Sequence, residues 1–207
     1  LRIQPGVDFD IVNPESDERF RECWTAYHKL MARSGVTPAI AKEAIRRKPT
    51  LIGSMLLKLG YADGLICGMT GQFSHHLGVI DHVIGKREGV TVLAAMNYLM
   101  LPARSLFICD THVNENPTAE ESAEMTVMAA EQVKRFGVHP KVALLSHSNF
   151  GSSNSESARK MSRAATLVSA MSAGEIEIDG EMHGDSALSE DIRQEANPDS
   201  PLKGEAN

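Results

Sequence analysis

Across residues 17–34 the apolar side chains Phe20, Cys23, Trp24, Tyr27, Leu30 and Met31 recur at helical spacing, which predicts a helix with one apolar face that stops at Gly35. Thr37-Pro38 opens a second helix, over 39–47, with proline in the first turn, where its missing N–H has no partner to lose. Short apolar runs flanked by turn residues follow at 64–67, 90–94, 105–109 and 142–146, and their length and composition predict buried strands. Between the last two lies a helix over 119–136. Thr118 and Glu121 form a capping-box pattern at its start, Met125, Met128, Ala129, Val133 and Phe136 make its buried side, and Gly137 ends it. Strand, helix and strand at this spacing predict a right-handed crossover in a parallel sheet. Another helix is expected over 156–171, and Pro198, Ser200, Pro201 and Gly204 read as loop. The pattern is α/β, with helices covering a largely parallel sheet.

Composition narrows the function. A net charge of −6 without a basic block disfavours nucleic acid as a partner, and an aromatic content of 5% disfavours a base-stacking platform. No apolar run reaches the roughly 18 residues of a membrane span. Leu1 and Arg2 lead into no hydrophobic signal region, and a start on Leu reads as a fragment of something longer. Cys23, Cys67 and Cys109 are odd in number and far apart. They imply neither a disulfide framework nor a structural metal, but reduced, buried thiols in a cytoplasmic protein.

Ligands of open α/β sheets bind beyond the carboxyl ends of strands, and three such exits are polar here. After 142–146 come Ser146, His147, Ser148, Asn149, Phe150, Gly151, Ser152, Ser153 and Asn154. Their hydroxyls, amides and free backbone N–H groups suit a phosphate; the same composition also suits a loop closed by its own Ser and Asn turns. After 176–178, Asp179, Glu181, His183 and Asp185 alternate, as acid/base groups on one face or as a solvated strand end. Asp110 and His112 alternate at the end of the 105–109 strand, as an acid/base pair or as a hydrogen-bonded anchor. His75-His76 is a poor metal pair, because adjacent histidines on a helix point apart.

The stretches ADGLICG (62–68), DTHVNENPTAEE (110–121), VALLSHSNFGS (142–152), DGEMHGD (179–185) and SPLKGEAN (200–207) resemble, in matching order, the phosphate acetyl/butyryl transferase (phosphotransacetylase) family. LLSHSNFGSS, IDGEMHGD and GVTPAIAKEAIRRKPTLIG resemble in particular the carboxyl-terminal domain of bacterial NADP-dependent malic enzymes. The resemblance implies one phosphotransacetylase-like domain over 1–207, lacking the family's amino- and carboxyl-terminal segments. It implies a three-layer αβα architecture with a mostly parallel sheet, in the two-part manner of isocitrate and isopropylmalate dehydrogenases, and assembly as a homodimer or higher oligomer.

By the same resemblance the ligand is acetyl-CoA or an acyl phosphate, bound by Ser146, Ser148, Asn149, Gly151, Ser152, Asp179, Glu181, Asp185 and Lys203. NADP and a divalent metal belong to the malic enzyme module of the same polypeptide, outside this chain. Where active members keep two arginines, this sequence aligns Gly78 and Met31, which cannot offer a phosphate bidentate charged hydrogen bonds. The resemblance therefore implies an acetyl-CoA-binding regulatory module, with a working acetyltransferase as the alternative; Arg33, Lys86, Arg87 and Lys203 are the cations that would rescue the latter.

Overall fold

Local rules set the helix ends in the computed structural model, which describes residues 2–207. Helix α1 (Phe20–Met31) tightens into a 3-10 turn (Ala32–Ser34) and stops at Gly35, whose φ of 79° favours glycine. The Thr37 hydroxyl accepts from the Ile40 N–H and Pro38 opens α2 (Pro38–Arg47), as the sequence predicts. Helices α3 (Pro49–Lys58) and α4 (Phe73–Val83) follow. Cys23, Ile45, Leu51, Ile52, Met55 and Val83 form a core among them, with Phe20, Trp24 and Tyr27 packed at its edge. Leu30, expected on the buried stripe, is 40% exposed.

The chain divides into two compact units, the first ending at Arg87 and the second spanning Glu88–Asn207. In the second, β1 (Met96–Met100) and β2 (Ser105–Cys109) form an antiparallel hairpin. Then come α5 (Ala119–Arg135), β3 (Lys141–Leu145), α6 (Glu156–Ser172) and β4 (Glu177–Met182), with α7 (Gly184–Leu188) and α8 (Glu190–Ala196) closing the order. The expected capping box is complete: Glu121 N–H donates to the Thr118 hydroxyl and Thr118 N–H to the Glu121 carboxylate. Strands β3 and β4 pair in parallel across α6, over a core of small and branched residues that includes Ala123, Ala164, Leu144, Val168 and Ile178. Alanines on both helices let α5 and α6 approach closely.

Five expectations change. The single, mostly parallel three-layer sheet is not formed among the described residues; two two-stranded sheets are, one antiparallel and one parallel. Strands β2 and β3 are not a crossover pair. The backbone of Asn207 lies between them, accepting from Phe107 N–H at 2.7 Å and donating to the Lys141 carbonyl at 2.9 Å. Neither 64–67 nor 90–94 is a strand. Ile66 and Met69 are 99% and 98% exposed between turns, so their apolar character finds no partner, while the N–H groups of Thr91 and Val92 donate to the Glu124 carboxylate instead of a ladder. Phe136, expected inside, is exposed, stacks on Tyr98 and meets Phe107 edge to face, and only Cys23 of the three cysteines is buried. No helix among the described residues is long and apolar enough to cross a membrane.

Candidate functional site

Parallel pairing of β3 and β4 puts both strand exits at one end of the second unit, and a bulge then decides which way β4 points. Leu144 pairs with Gly180 but Leu145 pairs with Met182, leaving Glu181 as the extra residue. An inserted residue breaks the two-residue alternation and re-aims its side chain. Glu181 is consequently 4% exposed, tucked beneath the loop that follows β3. Its Oε1 accepts from the Ser148 hydroxyl at 2.9 Å and from Gly151 N–H at 2.6 Å, and its carbonyl accepts from Phe150 N–H at 2.9 Å.

The loop is tied to itself as well. Ser148 N–H donates to Ser146 Oγ, Asn149 N–H to Ser152 Oγ, Ser152 N–H to the Asn149 carbonyl and Ser153 N–H to Ser148 Oγ. Ser146 N–H is held by the Met182 carbonyl, and the Asn149 side chain accepts from His183 N–H at 3.1 Å. The N–H groups of Ser146 and of residues 148–153 are thus already engaged, so the loop is less open to an anion than its composition suggests. Ser148 is completely buried.

Burial pushes the Glu181 carboxyl up, but Gly151 N–H, its own N–H and the hydroxyls of Ser148 and Ser162 outweigh this and hold it below the ordinary glutamate range. With the folded value depressed, its stabilising contribution is complete above the unfolded value, about 4.3, and is lost as pH falls through the lowered one. Glu181→Gln is expected to destabilise the protein by about 1–3 kcal/mol at neutral pH, since hydrogen bonds to a charged acceptor weaken. The gap between the two melting temperatures should close as the pH drops below about 4; a constant gap in pH-dependent melts would mean that the carboxylate charge contributes nothing.

Beside the loop opens a groove of about 860 Å³, lined by Gly180 and Glu181, by residues of the loop between Phe150 and Asn154, and by α6. Arg159, Ser162, Arg163, Thr166 and Leu167 line it from the helix, a spacing that belongs to one helical face. Ser155 caps that helix, accepting from Ala158 N–H.

Of the residues expected at the site, Ser146, Ser148, Asn149, Gly151, Ser152 and Glu181 come together at the loop. Gly151 and Glu181 reach the groove directly, and Ser148 acts from beneath. Asp179 turns elsewhere: it accepts from the Ser200 hydroxyl at 2.5 Å and from Gly180 N–H. Asp185 is exposed at the start of α7 and accepts from Ser186 N–H. Lys203 donates to the Ser200 carbonyl at 3.0 Å, closing its own turn. Asp110 accepts from the N–H groups of Ala95 and Asn114 and from the Asn114 amide, which makes it a loop anchor. His76 has both ring nitrogens engaged, with Thr50 and with the Thr70 carbonyl. The described residues hold no group of three or more metal-ligating side chains. Sequence reading missed Arg159 and Arg163. Their signal was three cations, with Lys160, in the first half of the helix after the polar loop, where the helix dipole gives cations no help.

Over residues 1–207 the chain matches the family described as Phosphate acetyl/butaryl transferase. Along its whole length it is 54% identical to an NADP-dependent malic enzyme of Escherichia coli and 53% identical to one of Haemophilus influenzae. The chain spans only 27% of the length of each. Its fold is similar to that of a phosphotransacetylase from Streptococcus pyogenes, with a TM-score of 0.84 at 28% identity over 97% of this chain and 60% of that one.

Proposed function

Given that the chain belongs to the phosphate acetyl/butaryl transferase family, we propose that it is an acetyl-CoA-binding regulatory and oligomerisation module of an NADP-dependent malic enzyme, not a working transferase. The carrying observation is the contrast in similarity. Identity is 53–54% to malic enzymes, of which the chain spans about a quarter, against 28% to the solved phosphotransacetylase. Oxidative decarboxylation of malate, with its NADP and divalent metal, then belongs to the rest of such a polypeptide. The groove, with two arginines and a volume in the range of small-molecule sites, is where acetyl-CoA would sit. Binding as a signal requires affinity alone, whereas turnover requires charge stabilisation that strengthens in the transition state.

Gly78 and Met31 support the absence of turnover. Gly78 lies inside α4, where an added Cβ meets nothing within 4 Å, so packing does not demand a glycine there. A cation aligned at that position in active members is missing without a steric reason. The alternative, an active acetyltransferase, is favoured by the fold likeness to a phosphotransacetylase.

The test is an acetyl-CoA titration by calorimetry with a coupled assay of acetyl phosphate and CoA, both on full-length protein. Saturable acetyl-CoA binding with background turnover is expected. Gly78→Arg with Met31→Arg should raise that turnover, because one electrostatic donor of this kind is typically worth about a hundred- to a thousandfold in rate. Robust turnover in the unaltered protein, abolished by Asp185→Ala or Lys203→Ala, would overturn the regulatory reading in favour of the transferase.

A further inference from the structure

Resting on the groove as the ligand site, we infer that Arg159 and Arg163 form a phosphate-binding subsite, so that α6 rather than the Ser/Asn loop holds the ligand's phosphate. The loop offers an anion less than its composition suggests, because the N–H groups of Ser146 and of residues 148–153 are committed to Glu181, to Met182 and to the loop's own oxygens. The two arginines stand one turn apart on the face of α6 that lines the groove, and both are exposed. A guanidinium has five N–H donors, and each of these two is engaged through one nitrogen. Arg159 uses Nη1, held by the carbonyl and side chain of Asn154, and Arg163 uses Nη2, held by Glu120 at 2.5 Å. The remaining edges suit the bidentate recognition of a phosphate.

The surroundings fit such a ligand. Glu120 and Arg163 have side chains 58% and 66% exposed, and an exposed pair of this kind contributes little, so a dianion can displace the carboxylate. Glu181 also lines the groove, and its carboxylate is held there by two neutral donors, the Ser148 hydroxyl and the Gly151 N–H. Toward the other end of the same helical face lie Thr166 and Leu167, with Phe150 across the groove, a less charged stretch for the remainder of the ligand. Arg159 to Leu167 spans about 12 Å of helix, enough for a phosphate at one end and an organic group at the other. The phosphate has two sources with the same chemistry, the 3′-phosphate of a coenzyme A thioester and an acyl or inorganic phosphate.

Calorimetry on the full chain separates them, with acetyl-CoA, dephospho-acetyl-CoA and inorganic phosphate as probes. The proteins are wild type, Arg159→Ala with Arg163→Ala, and Glu120→Gln. Both arginines are exposed, so the double variant should melt with wild type. It is expected to bind acetyl-CoA about tenfold to a hundredfold more weakly, the loss of two charge-assisted contacts. Glu120→Gln, by releasing Arg163, should bind acetyl-CoA about two- to fivefold more tightly. If wild type alone distinguishes acetyl-CoA from its dephospho form, the subsite holds the 3′-phosphate. If the double variant loses inorganic phosphate and still discriminates, it holds the acyl or inorganic phosphate. Equal affinity of wild type and double variant for every probe would overturn the subsite while leaving the regulatory reading intact. Phosphate binding that depends on the arginines, without any acetyl-CoA binding, would uphold the subsite and overturn that reading. No binding of any probe to wild type would overturn both.

Discussion

Gly180→Ala is expected to destabilise the second unit by about 3–5 kcal/mol, the sum of backbone strain and forced overpacking. Gly180 has a φ of +136°, which L side chains rarely adopt. An added Cβ would stand 2.7 Å from the Leu144 carbonyl oxygen and 3.0 Å from the Leu144 Cβ. Those atoms belong to the paired strand, so relief requires β3 and β4 to move apart. The bulge that aims Glu181 follows immediately, so the substitution should also loosen the loop after β3. Thermal melting should show a fall on the order of 10 °C, and amide exchange should accelerate at Phe150 and Gly151, whose N–H groups end on Glu181. A melting temperature within a degree or two of wild type would mean that the strands accommodate the methyl group.

Arg193→Met comes next in size, at about 3–5 kcal/mol, because it removes a buried cation and leaves its carbonyl partners, two of them in buried contacts, without a donor. Arg193 is fully buried and donates to three carbonyls, those of Ser186 at 2.8 Å, Leu202 at 2.9 Å and Gly204 at 2.5 Å. It thereby fastens α7 and α8 to the last residues of the chain. Methionine keeps the apolar stem and volume but leaves the three oxygens without donors. The expected signature is local as well as global. Protease sensitivity should rise after Asn197, and exchange should quicken at Ala206 and Asn207, which donate to the Ala187 and Lys141 carbonyls. Protection equal to wild type at both amides would show that the tail docks without the guanidinium.

These two residues also mark the division between what is readable along the chain and what is not. Gly180 sits inside the stretch DGEMHGD, which carried the family resemblance, yet nothing in that string discloses a neighbouring carbonyl at the distance of a clash. Arg193 carries no motif along the chain, and its burial follows from carbonyls up to eleven residues away. The site shows the same pattern. Ser148 and Gly151 were picked out for their chemistry, but their partner Glu181 is thirty or more residues distant, and the partnership makes the loop closed rather than open.

The sequence by itself determined the family, through ordered motifs over most of the chain, the stop after α1 and, to within a residue, the limits of α2, α5 and α6. Helix limits depend on caps and stops that act within about one turn of each end, as at Thr37, Thr118, Ser155 and Gly35. Only the tertiary structure decided strand pairing and the direction of Glu181. Apolar runs of four or five residues are alike whether they find a partner, as 105–109 does, or lie open, as 64–67 does. One extra residue in β4 reversed the alternation that would have set Asp179 and Glu181 side by side: a bulge is a property of two strands in register, and no period along one of them contains it.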